Sequence, residues 1–113
     1  MKRGKGGVQY EDVAVGSGEI ALRGSTVEVR YSLKLNRGEV LQENVLDSFR
    51  IGERRVIAGL EYGVQGMRVG GQRLIRVGPH LGYRESGVPG IVPPNAVLEF
   101  DVLLLGVRSS RTL

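Results

Sequence analysis

From Thr26 to Leu35 the apolar residues Val27, Val29, Tyr31, Leu33 and Leu35 alternate with Glu28, Arg30, Ser32 and Lys34. A period of two sends successive side chains to opposite faces, so this stretch predicts a strand with one face on a core and one in water. Asn36-Arg37-Gly38 then supplies a turn with a residue able to take positive φ. Val8 to Val15, Phe49 to Ile51, Gln72 to Val77 and Val97 to Val107 also read as strands. The last is apolar on both faces near its end, as a central strand should be. One segment breaks the period: Val56, Ile57, Leu60, Val64 and Met67 form a helical stripe, which predicts a helix over Val56 to Met67. Gly59, Gly63 and Gly66 each cost about 1 kcal/mol relative to alanine inside a helix, so this one should be short and held by packing. Several antiparallel strands with one amphipathic helix predict an α+β fold, a twisted antiparallel sheet wrapped over the helix.

Composition narrows the picture. The chain has 113 residues, 41% hydrophobic and 25% charged, which suits one globular domain with a modest core. We place that domain at residues 8–107, between a basic head at 1–7 and a tail at 108–113, both too poor in apolar residues to pack and both expected to be mobile. The absence of cysteine excludes disulfides, thiolate metal sites and a cysteine nucleophile. The longest apolar run, Val102 to Leu105, is too short to span a bilayer, and Met1 leads into no apolar signal segment, so a cytoplasmic protein with no membrane partner is expected. The net charge of +4 invites a nucleic-acid reading. Several basic residues lie in the two ends, however, and no basic run is interleaved with aromatics, which argues against dedicated nucleic-acid binding.

The stretch from Gly63 to Asp101 carries the most specific information. Gly66-Met67, Val69-Gly70-Gly71-Gln72-Arg73, Gly82-Tyr83, Gly87-Val88-Pro89-Gly90-Ile91-Val92-Pro93-Pro94 and Leu98-Glu99-Phe100-Asp101-Val102 follow one another in a fixed order and spacing. Together they resemble the FKBP family, the peptidyl-prolyl cis/trans isomerases that bind the macrolide tacrolimus. The resemblance covers nearly all of Val8 to Val107 and implies a half-barrel sheet over one helix, in line with the periodicity. It also implies rotation about X-Pro bonds of peptides or unfolded proteins, without a cofactor, by a monomer whose pocket would also take tacrolimus-like macrolides.

Twisting an X-Pro amide needs no covalent step. The twisted amide loses charge separation, so an apolar, water-poor pocket favours it, with a few hydrogen bonds holding the geometry. By resemblance, Tyr31, Ile57, Tyr83 and Phe100 would act on the amide, with Leu41, Gln42, Val56, Leu60, Ile91 and Val92 lining the substrate site. The Ile57 N–H and the Tyr83 hydroxyl would bond the ligand. Three departures from the family pattern stand out. Leu41-Gln42 replaces the usual Phe-Asp, Leu60 replaces tryptophan at the pocket floor, and the connection from Gln42 to Phe49 leaves little room for the family's bulge. These departures keep a second reading open, an FKBP-like binding module with weak or no turnover.

Plainer readings accompany these. Tyr31, Val56, Ile57 and Leu60 suit a core as well as a pocket wall, whereas Tyr83, inside a Gly/Pro loop, has no periodic reason to be buried. Gly66 to Gly71 lacks the following GKS or GKT of a phosphate loop. His80 has no partner at metal-ligand spacing, so no metal is expected.

Overall fold

The computed structural model describes residues 1–109. Six strands form one antiparallel sheet in the order β1-β2-β5-β6-β3-β4. They are β1 (Lys2–Arg3), β2 (Gln9–Ala14), β3 (Thr26–Leu35), β4 (Val40–Arg50), β5 (Gln72–Val77) and β6 (Leu98–Arg108), and the sheet packs against a single α-helix, α1 (Ala58–Val64). The alternation in β3 does what its period requires: Val27, Val29, Tyr31, Leu33 and Leu35 are all buried. β6 lies between β5 and β3, so its backbone is paired on both sides. Its outward Leu103 and Leu105 are nonetheless exposed, because only one face of the sheet is covered.

The helix is shorter than the Val56 to Met67 stripe predicts. Ile57, at ψ 148°, is still extended, and Gln65, at ψ 132°, has already left the helix. Gly66 then takes φ 90° and donates its N–H to the Ala21 carbonyl at 2.8 Å, turning the chain away. Two of the glycines that weaken the helix also position it. A Cβ on Gly59 would overlap Val77, and one on Gly63 would overlap Ile75, so these positions let α1 lie directly on β5. Arg73, itself buried, holds the end of the helix by donating to the Gly63 and Gln65 carbonyls at 3.0 and 3.1 Å. Its Nε donates to Asp12 at 2.7 Å, and its guanidinium lies 4.1 Å from the centre of the Tyr10 ring.

Two further expectations are corrected. The strand expected only from Phe49 to Ile51 is β4, which begins at Val40 and reaches Arg50. Its pairing runs Tyr31↔Val45, Leu33↔Gln42 and Lys34↔Val40, so β4 holds an extra residue at each of two steps. Asn44 sits there at φ 50°, its N–H donated to the Ser32 hydroxyl at 3.2 Å. The connection therefore has room for a bulge after all, and the bulge destroys the alternation that would have revealed the strand. At the head, Lys2 and Arg3 pair with Tyr10 and Gln9 rather than lying outside the sheet. At the other end Arg108 still pairs with Thr26, while residues 110–113 of the expected tail lie outside the described residues. Among the described residues no helix is long and apolar enough to cross a membrane.

Candidate functional site

β3 and β6 run side by side, and their buried faces place Tyr31 against Phe100. The rings meet edge to face with centroids 5.5 Å apart. The segment entering α1 crosses in front of them, and the loop after β5 closes the far side. Between these elements lies a cavity of about 400 Å³ lined by Tyr31, Leu33, Gln42, Arg54, Arg55, Val56, Ile57, Leu60, Tyr83 and Phe100. Leu60 and Phe100 are buried, as is Tyr31, while Val56, Ile57 and Tyr83 are half-buried. The floor is thus apolar and the donors stand at its edge.

Local structure explains each position. The extended backbone at Ile57 starts the helix, its carbonyl accepting the N–H groups of Leu60 and Glu61. Its own N–H has no acceptor among the described residues. Tyr83 follows the single turn Pro79–Leu81, and its carbonyl accepts the Gly87 N–H at 2.9 Å. Gly87, at φ 60°, lies where a Cβ would overlap the Val92 and Pro93 carbonyls, so a side chain there would open the loop. Neither the Tyr31 nor the Tyr83 hydroxyl is sealed from solvent without a partner. Burial pushes the Tyr31 hydroxyl above its ordinary pKa of 10.0, with the Asp47 carboxylate and then Tyr83 adding to the rise. Tyr31 is therefore a neutral donor throughout the physiological range.

Of the residues that the sequence singles out, Tyr31, Gln42, Val56, Ile57, Leu60, Tyr83 and Phe100 come together around this cavity. Leu41, Ile91 and Val92 do not. Leu41 packs against the margin of the core, because the register that pairs Gln42 with Leu33 gives the cavity-facing place to Gln42. Ile91 is 62% exposed at a loop apex, and Val92 is buried, exchanging both backbone hydrogen bonds with Val88 at 2.8 Å. Sequence reasoning passed over Leu33, Arg54 and Arg55. Leu33 was within reach, since it shares the Tyr31 face of β3. The arginine doublet reads as a solvated run until the fold brings it to the cavity mouth. Asp47 was hidden by the β4 bulge; it pairs with Val29 and so stands on the same face as Tyr31.

A wider hollow, of about 510 Å³, lies on the other face of the sheet, where Lys34 and Arg76 line it together with Glu99. There Glu99 pairs with both cations, at 3.6 and 3.0 Å, whereas the smaller cavity offers donors beside an apolar floor. Among the described residues no cluster of three or more His, Asp or Glu is placed to hold a metal.

Comparison with known proteins places this geometry. The FKBP-type peptidyl-prolyl cis-trans isomerase family model matches residues 18–105. FK506-binding protein 4 of Dictyostelium discoideum is 45% identical over 101 residues, 88% of this chain and 28% of that protein. The 46 kDa FK506-binding nuclear protein of Spodoptera frugiperda is 39% identical over 107 residues, 91% of this chain and 26% of that protein. The chain thus spans about a quarter of the length of these relatives. Among solved structures, FkpA from Escherichia coli is similar at a TM-score of 0.83 and 35% identity, over 97% of this chain and 52% of that one. A peptidyl-prolyl cis-trans isomerase from Pseudomonas syringae is similar at a TM-score of 0.85 and 25% identity, over 96% of this chain and 80% of that one. With the family pattern spanning most of the fold, from before β3 to the end of the cavity-forming part of β6, the chain belongs to the FKBP-type peptidyl-prolyl cis-trans isomerase family.

Proposed function

We propose that this chain is a peptidyl-prolyl cis/trans isomerase that acts on X-Pro bonds of peptides or unfolded proteins. The observation that carries the reading is the cavity itself, where an apolar floor of Leu60 and Phe100 lies beside the unsatisfied Ile57 N–H and the Tyr31 and Tyr83 hydroxyls. The planar amide is held by resonance behind a barrier of about 18–20 kcal/mol. A proline ring seated on the apolar floor leaves water behind, and the charge-separated planar amide loses solvation there. The twisted amide, with less charge separation, loses less, so the cavity lowers the barrier. The three donors fix substrate carbonyls and keep the peptide from turning as a whole while the bond rotates. No residue exchanges a proton with the amide and no cofactor enters. Tacrolimus-like macrolides would compete for the same floor.

The test is an exchange assay on short X-Pro peptides. We expect acceleration over the spontaneous rate, lost at least tenfold in the Ile57→Ala, Tyr83→Ala double variant. Rates no faster than the uncatalysed reaction would overturn the reading. Gln42 favours a second one: a neutral amide at the cavity edge, in place of the acid of the family pattern, suits a module that holds proline segments with little turnover. Proline-peptide binding without acceleration would select it.

A further inference from the structure

We propose that the cavity selects proline peptides carrying an acidic residue directly beside the proline, through Arg54 and Arg55. This rests on the reading of the cavity as the proline site. Both arginines line it, on the segment that leads into Ile57. The segment is pinned rather than trailing in solvent. Arg54 takes φ 61° and donates its N–H to Glu61 Oε2 at 2.9 Å, and Glu61 is itself buried. Arg55 Nη1 reaches the Ser48 carbonyl of β4 at 3.4 Å. Among the described residues neither guanidinium has a carboxylate partner, although four other ion pairs form in the molecule. The nearby acids are otherwise placed. Glu61 has one oxygen on the Arg54 N–H, and Asp47 accepts the Ser48 N–H at 2.8 Å with its field directed at Tyr31. Glu53 is exposed on the chain before the doublet.

The lining therefore carries, at Arg54 and Arg55, two positive charges without an ion-pair partner among the described residues, while Asp47 lies outside the lining and acts on Tyr31 through its charge. A proline on the apolar floor puts its neighbours about 3.8 Å away along the chain, which brings a flanking side chain to the mouth. A carboxylate there meets two guanidinium forks, and a lysine there meets repulsion. The negative field of Asp47 at Tyr31 opposes an acid on that side, so one flank benefits more than the other.

The experiment measures isomerisation by magnetisation exchange on uncleaved peptides bearing Glu, Gln or Lys before the proline, and a second set bearing them after it. At low salt the Glu peptide of one set should exceed its Lys counterpart in kcat/KM by about three- to tenfold, as expected of a pair of partly exposed charge contacts. The ratio should fall towards one at about 0.5 M salt. It should also fall towards one in Arg54→Gln, Arg55→Gln, and persist in Lys2→Gln, Arg3→Gln, where the same charge is removed at the opposite sheet edge. Equal rates for Glu and Lys peptides in both sets, or a preference that survives Arg54→Gln, Arg55→Gln, would overturn the proposal while leaving the isomerase reading intact. A chain that accelerates none of the peptides would instead defeat the isomerase reading.

Discussion

Tyr31 joins the core to the cavity. It shares its buried strand face with Val29 and Leu33, meets Phe100 edge to face, and carries its hydroxyl to the cavity rim. The same burial that makes it a packing residue raises its pKa above 10.0, with Asp47 second and Tyr83 third among the causes. The sign for stability follows from linkage. The folded state holds the phenolic proton more tightly than the unfolded chain does. This contribution is complete below about pH 10 and is lost as pH rises through the folded pKa. Alkaline titration of tyrosine absorbance, wild type minus Tyr31→Phe, should show a transition above pH 10 that moves down in Asp47→Asn. A difference spectrum that titrates below pH 10 would contradict the burial of this ring. The tyrosine itself was legible from alternation. Asp47 was not, because the irregular pairing of β4 breaks the alternation that would have shown this stretch to be a strand at all.

The helix and the strand it rests on show where pattern reading reaches and where it stops. The stripe of Leu60 and Val64 is visible in the sequence, and both residues are buried. The glycines between them read as a cost, since propensity says nothing of what faces them. In the fold, Gly63 lies where an added Cβ would come within 2.5 Å of Ile75 Cγ2, and Ile75 is fully buried in β5. Two effects then oppose each other in Gly63→Ala. Helix propensity gains about 1 kcal/mol. Overpacking against a β-branched side chain with no room to withdraw costs about 1–3 kcal/mol. We expect net destabilisation of up to about 2 kcal/mol, read as a lower urea midpoint at unchanged slope. A stabilised variant would mean that α1 stands off β5. Arg73 is the companion case: its place in the Val69 to Arg73 string was evident, but its role in capping α1 while pairing with Asp12 across two strands depends on the register of β2 on β5.

At the scale of the whole molecule, the sheet separates two ends. The cavity lies at the β3–β4 side, and the head lies at the far edge, where β1 extends the sheet by two residues. The basic, glycine-rich head looked detached because its composition offers nothing to bury. Its contribution comes from backbone and glycine instead. The Gly4 N–H donates to the Val8 carbonyl at 2.7 Å, Lys2 pairs with Tyr10, and Gly6 at φ 66° fits beneath the Tyr62 ring of α1, where any Cβ would strike it. Removing residues 1–7 uncovers that ring and the buried Val8, and strips the outer edge of β2. We expect a stability loss of about 1–2 kcal/mol in urea denaturation, within the range of a lost packing contact. Isomerisation of a neutral X-Pro peptide should be unchanged at temperatures where both forms are folded, because no head residue reaches the cavity. Equal stability of the two forms would place the head outside the cooperative fold. A change in turnover at equal folded fraction would instead show that the far edge of the sheet is coupled to the Tyr31 face.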